Sequence, residues 1–129
     1  MHILVAGSRS WTDYNKMVKV LDDLIREEQL PFSDDVVIVS GGAKGADSLA
    51  ERYAHEKGYE LVVIRADWDK YGKSAGYRRN EEMHKYIEKD NNRFCVCFWD
   101  GQSKGTAHNF DLVKKYGTPL TVIKQEIKW

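Results

Sequence analysis

The sequence predicts an α/β protein, a Rossmann-like three-layer sandwich around a mainly parallel five-stranded sheet. Three observations point to it: five short β-rich runs recur, their hydrophobicity is continuous rather than alternating, and stretches with helical spacing separate them. Strands covered by helices on both faces read as continuous apolar runs, because both sides of the pleat are buried. The alternation β-α-β-α-β-α-β-α-β then implies right-handed crossovers.

The first run is "HILVA" (2–6). Beyond it Thr12 or Asp13 offers an N-cap, and Met17, Leu21, Leu24 and Ile25 keep a 3.6-residue period. "VVIV" (36–39) is the second strand, and Leu49, Ala50, Tyr53 and Ala54 mark the helix after it. Gly58 in "EKGYE" reads as the left-handed residue that closes this helix. "LVVI" (61–64) is the third strand, followed by a weaker helical period at Arg79, Met83, Tyr86 and Ile87. "FCVCF" (94–98) is the fourth. Its Cys95 and Cys97 are two apart on a strand and share a face; a CxC pair with no further cysteine is a poor metal site, so both read as buried structural thiols. "LTVI" (120–123) is the fifth strand, after a helix closed by Gly117 and Pro119 in "KYGTP".

A chain of 129 residues with 42% hydrophobic content suits one compact domain, 1–129, with no linker or low-complexity stretch. Basic and acidic residues number 20 each, so no global field draws the molecule to nucleic acid or an anionic membrane. Any polyanion site must be local. The apolar runs are too short to span a membrane and the first residues lack a signal-peptide pattern, so a cytoplasmic protein is expected. His2, His55, His84 and His108 form no metal-ligand spacing, and neither a metal nor a cofactor is expected. The serines have no triad context, and Trp11 and Trp129 read as packing or contact residues.

In an open parallel sheet, ligands bind beyond the carboxyl ends of the strands. The loops at those ends contain "GSRSW" (7–11), "SGGAKGAD" (40–47), "RADWDKYGKSAGYRRN" (65–80) and "WDGQSKGT" (99–106). The opposite loops, "PFSDD", "GY", "DNN" and "GTP", hold ordinary turn residues. Glycine, arginine, hydroxyl and tryptophan residues thus collect at one edge.

"SGGAKGAD" is neither a Walker A motif nor a full GxGxxG, since Ser40 replaces the first glycine. Its physical demand is similar: small residues let a phosphate approach the backbone, and free N–H groups of the next helix's first turn attract it. Asp47 in that turn would repel a phosphate, so it caps the helix or holds a ribose hydroxyl or a partner side chain; a merely tight turn is the plainer alternative. "GQSKGT" repeats the theme at a second helix start, with Ser103 as a simple N-cap in the competing view. Arg9 can fork onto a phosphate, or be a surface arginine. In 65–80, Trp68, Tyr71 and Tyr77 interleave with Lys70, Lys73, Arg78 and Arg79, the mixture that stacks bases and neutralises phosphates, or else forms an aromatic lid on the sheet. Asp67 and Asp69 can accept hydrogen bonds from ribose or a base edge.

Through "GSR", "GGAKGAD", "ADW", "GKSAGYRRN" and "FWDGQSKGTAH", five ordered blocks over nearly the whole chain, the sequence resembles the SLOG superfamily, in particular its YspA-related branch. The resemblance implies a Rossmann-like fold that binds nucleotides or their derivatives. In the related LOG phosphoribohydrolases it implies cleavage of an N-glycosidic bond. Those enzymes look like PGGxGTxxE at the second glycine loop; here Gly101, Gln102 and Ser103 alter its start, and Asn109, preceded by His108, stands in place of the glutamate. An amide cannot act as a carboxylate acid or base. Asp47, Asp67, Asp69, Glu81 and Glu82 are the alternative carboxylates, with His108 a candidate acid or base.

Residues and resemblance together make Gly7, Ser8, Arg9, Gly41, Gly42, Ala43, Gly45, Asp47, Asp67, Trp68, Gly76, Arg79, Asn80, Gly101, Ser103, Gly105 and Thr106 the candidate ligand contacts. Three functions compete. The first is a sensor or effector domain that binds a nucleotide or nucleotide-derived small molecule. The second is a phosphoribohydrolase-like enzyme acting on a nucleoside monophosphate or an ADP-ribose-like substrate. The third, from the likeness to DprA in the wider superfamily, is single-stranded nucleic-acid binding, which zero net charge disfavours. No membrane partner is expected, and the apolar content allows a homo-oligomer.

Overall fold

A computed structural model describes residues 1–28 and 35–125. Trp129 and most of "PFSDD" lie outside them. The elements run β1 (His2–Gly7), α1 (Tyr14–Glu27), β2 (Val37–Ser40), α2 (Ala46–Lys57), β3 (Glu60–Val63), α3 (Trp68–Tyr71), a 3-10 turn (Gly72–Ser74), α4 (Ala75–Ile87), β4 (Arg93–Trp99), α5 (Lys104–Tyr116) and β5 (Leu120–Lys124). All five strands are parallel, in the order β3-β2-β1-β4-β5. The expected α/β architecture is therefore observed, with every strand shifted or lengthened by a residue or two at its ends.

Alternate strand residues feed two cores. Ile3, Val5, Ile38, Val96 and Phe98 pack with Met17 and Leu21 of α1 and with Ala50, Tyr53 and Ala54 of α2. Leu4, Ala6, Val39, Cys95 and Cys97 pack with Met83 and Ile87 of α4 and Val113 of α5. This division follows from right-handed crossovers: chain moving from β1 toward β3 puts its helices on one face, and chain returning to β4 and β5 puts them on the other. Trp11 is buried and tilts against Phe98 at 5.3 Å between centroids, closing one end of the first core. The two cysteines are buried with Sγ atoms 3.8 Å apart, and their mutual hydrogen bond and burial push the Cys95 thiol pKa well up.

Cover on both faces holds for β1, β2 and β4 but not for the edges. Leu61 of β3 and Leu120 and Val122 of β5 are exposed, because two helices per face do not reach across five strands. Among the caps, Asp13 rather than Thr12 starts α1, its carboxylate accepting from Lys16 N at 3.1 Å. Gly58 and Gly117 close α2 and α5 at φ of 72° and 68°, as their positions require.

Candidate functional site

Strand order reverses between β1, which continues toward β2 and β3, and β4, which continues toward β5. Connections leave this point in opposite directions and open a crevice at the carboxyl ends. A cleft of about 190 Å³ lies there, lined by Ala6 and Gly7 of β1, the glycine loop, α4 and the first turn of α5. A broader basin of about 450 Å³ adjoins it, sharing Arg9, Ala43, Trp68 and Arg79 and adding Gly41, Gly42, Lys44 and Arg65. Arg9, Lys44, Arg65, Lys73 and Arg79 all line one or the other. Zero net charge thus conceals a local cationic edge, and a neutral total does not exclude a polyanionic partner.

The glycine loop is packed rather than open. A Cβ on Gly45, whose φ is +74°, would collide with the carbonyl oxygens of Ser8 and Arg9, so glycine is what lets α2 start against the β1 loop. The N–H groups expected to be free here are engaged in part. Gly42 N donates to Ser40 Oγ at 3.2 Å, Ala43 N to Asp47 Oδ2 at 3.1 Å, and Ala46 N to Ser8 O at 3.2 Å. Internal acceptors occupy these three donors, whereas the N–H groups of Asp47 and Ser48 in the first turn of α2 have no acceptor among the described residues.

The two arginines differ. Arg79, half-buried, donates to Gly41 O at 2.6 Å and to Asn80 Oδ1 at 3.0 Å, clasping α4 to the glycine loop; burial lowers its pKa and Asp47 opposes the shift. Arg9 is exposed and makes no hydrogen bond among the described residues, so its guanidinium is available where the two lobes join.

Asp47 is 6% exposed and lines the cleft. Burial raises its pKa, against the opposing pull of the Ala43 N–H and of Arg79. The other candidate carboxylates are elsewhere: Asp67 caps α3 through Lys70 N at 3.1 Å, Glu81 pairs with Lys115 at 3.0 Å, and Asp69 and Glu82 are exposed outside the cleft. Among the described residues, Asp47 is the carboxylate of this cleft.

Asn109 lies at the cleft wall, 1% exposed. Its Nδ2 donates to Gly105 O at 3.4 Å and Thr106 O at 3.3 Å, which turns Oδ1 to His84 Nε2 at 2.8 Å. His84 is fully buried and its pKa is pushed down by burial. Asn80 ties α4 to α5 by donating to Gly105 O at 3.1 Å. His108 packs edge-on against Tyr77 at 4.7 Å and does not line the cleft, although Tyr77 does.

Of the expected contacts, Gly7, Arg9, Ala43, Asp47, Trp68, Gly76, Arg79, Asn80, Ser103, Gly105 and Thr106 meet in the cleft, and Gly41 and Gly42 in the basin. Ser103 also caps α5, its Oγ accepting from Thr106 N at 3.3 Å. Ser8, Gly45, Asp67 and Gly101 line neither lobe. Ser8 is buried, its Oγ accepting from Asp100 N at 2.9 Å; Gly101 turns at φ 87° against Lys124. Asp100 in turn accepts from Gln102 N and Ser103 N, both at 2.8 Å, which lowers its pKa. Sequence reasoning missed Lys44 and Arg65 of the basin, and also Ala6 and Met83, which read as core and are core on one side and cleft lining on the other.

A sequence model of the YspA, cpYpsA-related SLOG family matches residues 1–71. The gene 61 protein of Mycobacterium phage D29 is 35% identical over 123 residues, 92% of each chain. DNA processing protein A (DprA) from Streptococcus pneumoniae superposes with a TM-score of 0.59 at 18% identity, over 98% of this chain and 51% of its own, so this chain spans about half of it. That likeness concerns the fold. No helix among the described residues is long and apolar enough to cross a membrane.

Proposed function

The chain belongs to the YspA, cpYpsA-related SLOG family, and from that premise we propose that it binds a nucleotide or nucleotide-derived small molecule at the carboxyl edge of its sheet, as a sensor or effector domain. The observation that carries this reading is the joining of the two lobes at Arg9, with unbonded cationic charge beside an aromatic, hydroxyl-lined cleft. Ligand pockets measure roughly 300–1,000 Å³. The 190 Å³ of the inner cleft is too small for a whole nucleotide, so the ligand spans both lobes, its phosphate toward Arg9, Lys44 and Arg65. Trp68, 52% exposed and common to both, supplies a stacking face.

Binding is favoured over glycosidic cleavage by Asn109. Its amide is engaged by His84 and two helix carbonyls, and among the described residues the cleft lining has no carboxylate besides Asp47. The test is mass spectrometry of nucleoside monophosphates, NAD and ADP-ribose after incubation with the protein, bound and free fractions separately, with Gly42→Val as control. Gly42 sits at φ +72°, and its Cβ would meet Arg65 Nη1 at 2.6 Å. A compound retained intact by the wild type and lost in the variant supports binding. Release of free base and ribose phosphate would establish the enzyme instead. Retention only of oligonucleotides, rising with length and falling steeply with salt, would make the cationic edge a nucleic-acid surface.

A further inference from the structure

Asp47 Oδ2 accepts from Ala43 N, while Oδ1 has no hydrogen-bond partner among the described residues. Within that set, the one side-chain nitrogen or oxygen sealed from solvent without a partner is His84 Nδ1, so Asp47 Oδ1 is not sealed. Asp47 is 94% buried and lines the cleft, so the cleft is where a ligand can reach its open oxygen. A phosphate is repelled there. What a carboxylate oxygen in a small cleft requires is a donor, and Arg9 and Arg79, both of which line the cleft, offset its charge without bonding it.

We infer that Asp47 is the specificity residue of this site, its open oxygen accepting from the ribose hydroxyls of a ribonucleotide and so discriminating against the 2′-deoxy form. This rests on the nucleotide-binding reading above. With the phosphate toward the basin and Trp68 at the junction, the sugar is the part of a nucleotide that passes from the cationic lobe into the cleft where Asp47 lies. A hydrogen bond to a charged acceptor is worth enough for about tenfold to a hundredfold discrimination, since removing the hydroxyl leaves a buried carboxylate unpaired.

The experiment is calorimetric titration of the full chain with the four ribonucleoside 5′-monophosphates and their 2′-deoxy counterparts, for wild type, Asp47→Asn and Arg9→Ala. Asparagine keeps an acceptor for Ala43 N, and a melt of each variant checks folding. The expected result is a ribonucleotide held at least tenfold tighter than its deoxy form by the wild type. That ratio falls below about threefold in Asp47→Asn and survives in Arg9→Ala, which weakens both forms alike. Equal wild-type affinity for a ribo and deoxy pair overturns the inference and leaves the nucleotide reading standing. Discrimination among bases with none between sugars assigns Asp47 to an exocyclic amine and likewise overturns it. No binding of any monophosphate overturns the inference, and if NAD and ADP-ribose are not retained either, the nucleotide reading falls with it.

Discussion

Asn109 Oδ1 accepts a 2.8 Å hydrogen bond from His84 Nε2 where α5 meets α4 beneath the cleft. Because Nδ2 of the same amide faces the carbonyls of Gly105 and Thr106, the oxygen must face the histidine, and His84 carries its proton on Nε2. Nδ1 is then a bare acceptor, buried without a partner among the described residues. Asn109→Ala leaves both ring nitrogens unsatisfied and should cost about 1–3 kcal/mol of stability. A urea titration measures this, and an unchanged midpoint would show that the pair contributes nothing net.

Burial lowers the His84 pKa, with the Asn109 bond opposing. The unfolded chain therefore binds more protons at this residue below its ordinary value of about 6.5. Its contribution to stability is complete above that value and is lost as pH falls toward the depressed folded value. Thermal melts at about pH 7.5 and 5.5 should show a larger acid loss in the wild type than in His84→Gln. Equal losses would place the acid sensitivity elsewhere.

Asp47 has the opposite sign. Its folded pKa is raised by burial, so its contribution is fully present below the unfolded value of about 3.9 and declines as pH rises through the folded one. Asp47→Asn should melt higher than wild type near pH 7 and level with it near about pH 3.5. A lower melting point for the variant at pH 7 would mean that Arg9 and Arg79 more than compensate the burial.

Arg9→Ala and Arg79→Ala should separate. Arg9 makes no hydrogen bond among the described residues, so its loss should weaken phosphorylated ligands by about tenfold at unchanged melting temperature. Arg79 holds Gly41 O and Asn80, so its loss should lower both stability and affinity. Differential scanning fluorimetry beside calorimetry distinguishes them, and a folded, fully stable Arg79→Ala protein would contradict the clasp.

Two left-handed glycines offer a control on backbone strain. Gly58→Ala meets nothing within 4 Å and should cost only the conformational penalty, about 1–2 kcal/mol. Gly45→Ala adds a collision with two β1-loop carbonyls and should cost clearly more, with loss of the cleft. Similar denaturation midpoints for the two would imply that the loop yields freely.

Much of this protein is legible in the chain itself. Continuous apolar runs at the three central strands, the 3.6-residue period of Met17 and Leu21, and glycines at 58 and 117 are local consequences of burial and backbone geometry, and they determine the α/β order without any long-range contact. One-sided collection of Gly, Arg and Trp at the strand ends likewise follows from connectivity, which is why most candidate residues meet in one crevice.

Only the tertiary structure decides what each side chain does there. Ser8 and Arg9 are neighbours in the chain, yet one is buried holding Asp100 N and the other is open at the junction of the lobes. Arg79 and Arg9 look alike as letters; one is fastened to the glycine loop and one is not. Asp47 becomes the cleft's carboxylate, and Asn109 a buried partner of His84, through packing between elements far apart in sequence. Periodicity is a property of neighbours along the chain, whereas the partner of a hydrogen-bonding group, and the oxygen it leaves free, are set by which elements are brought against it.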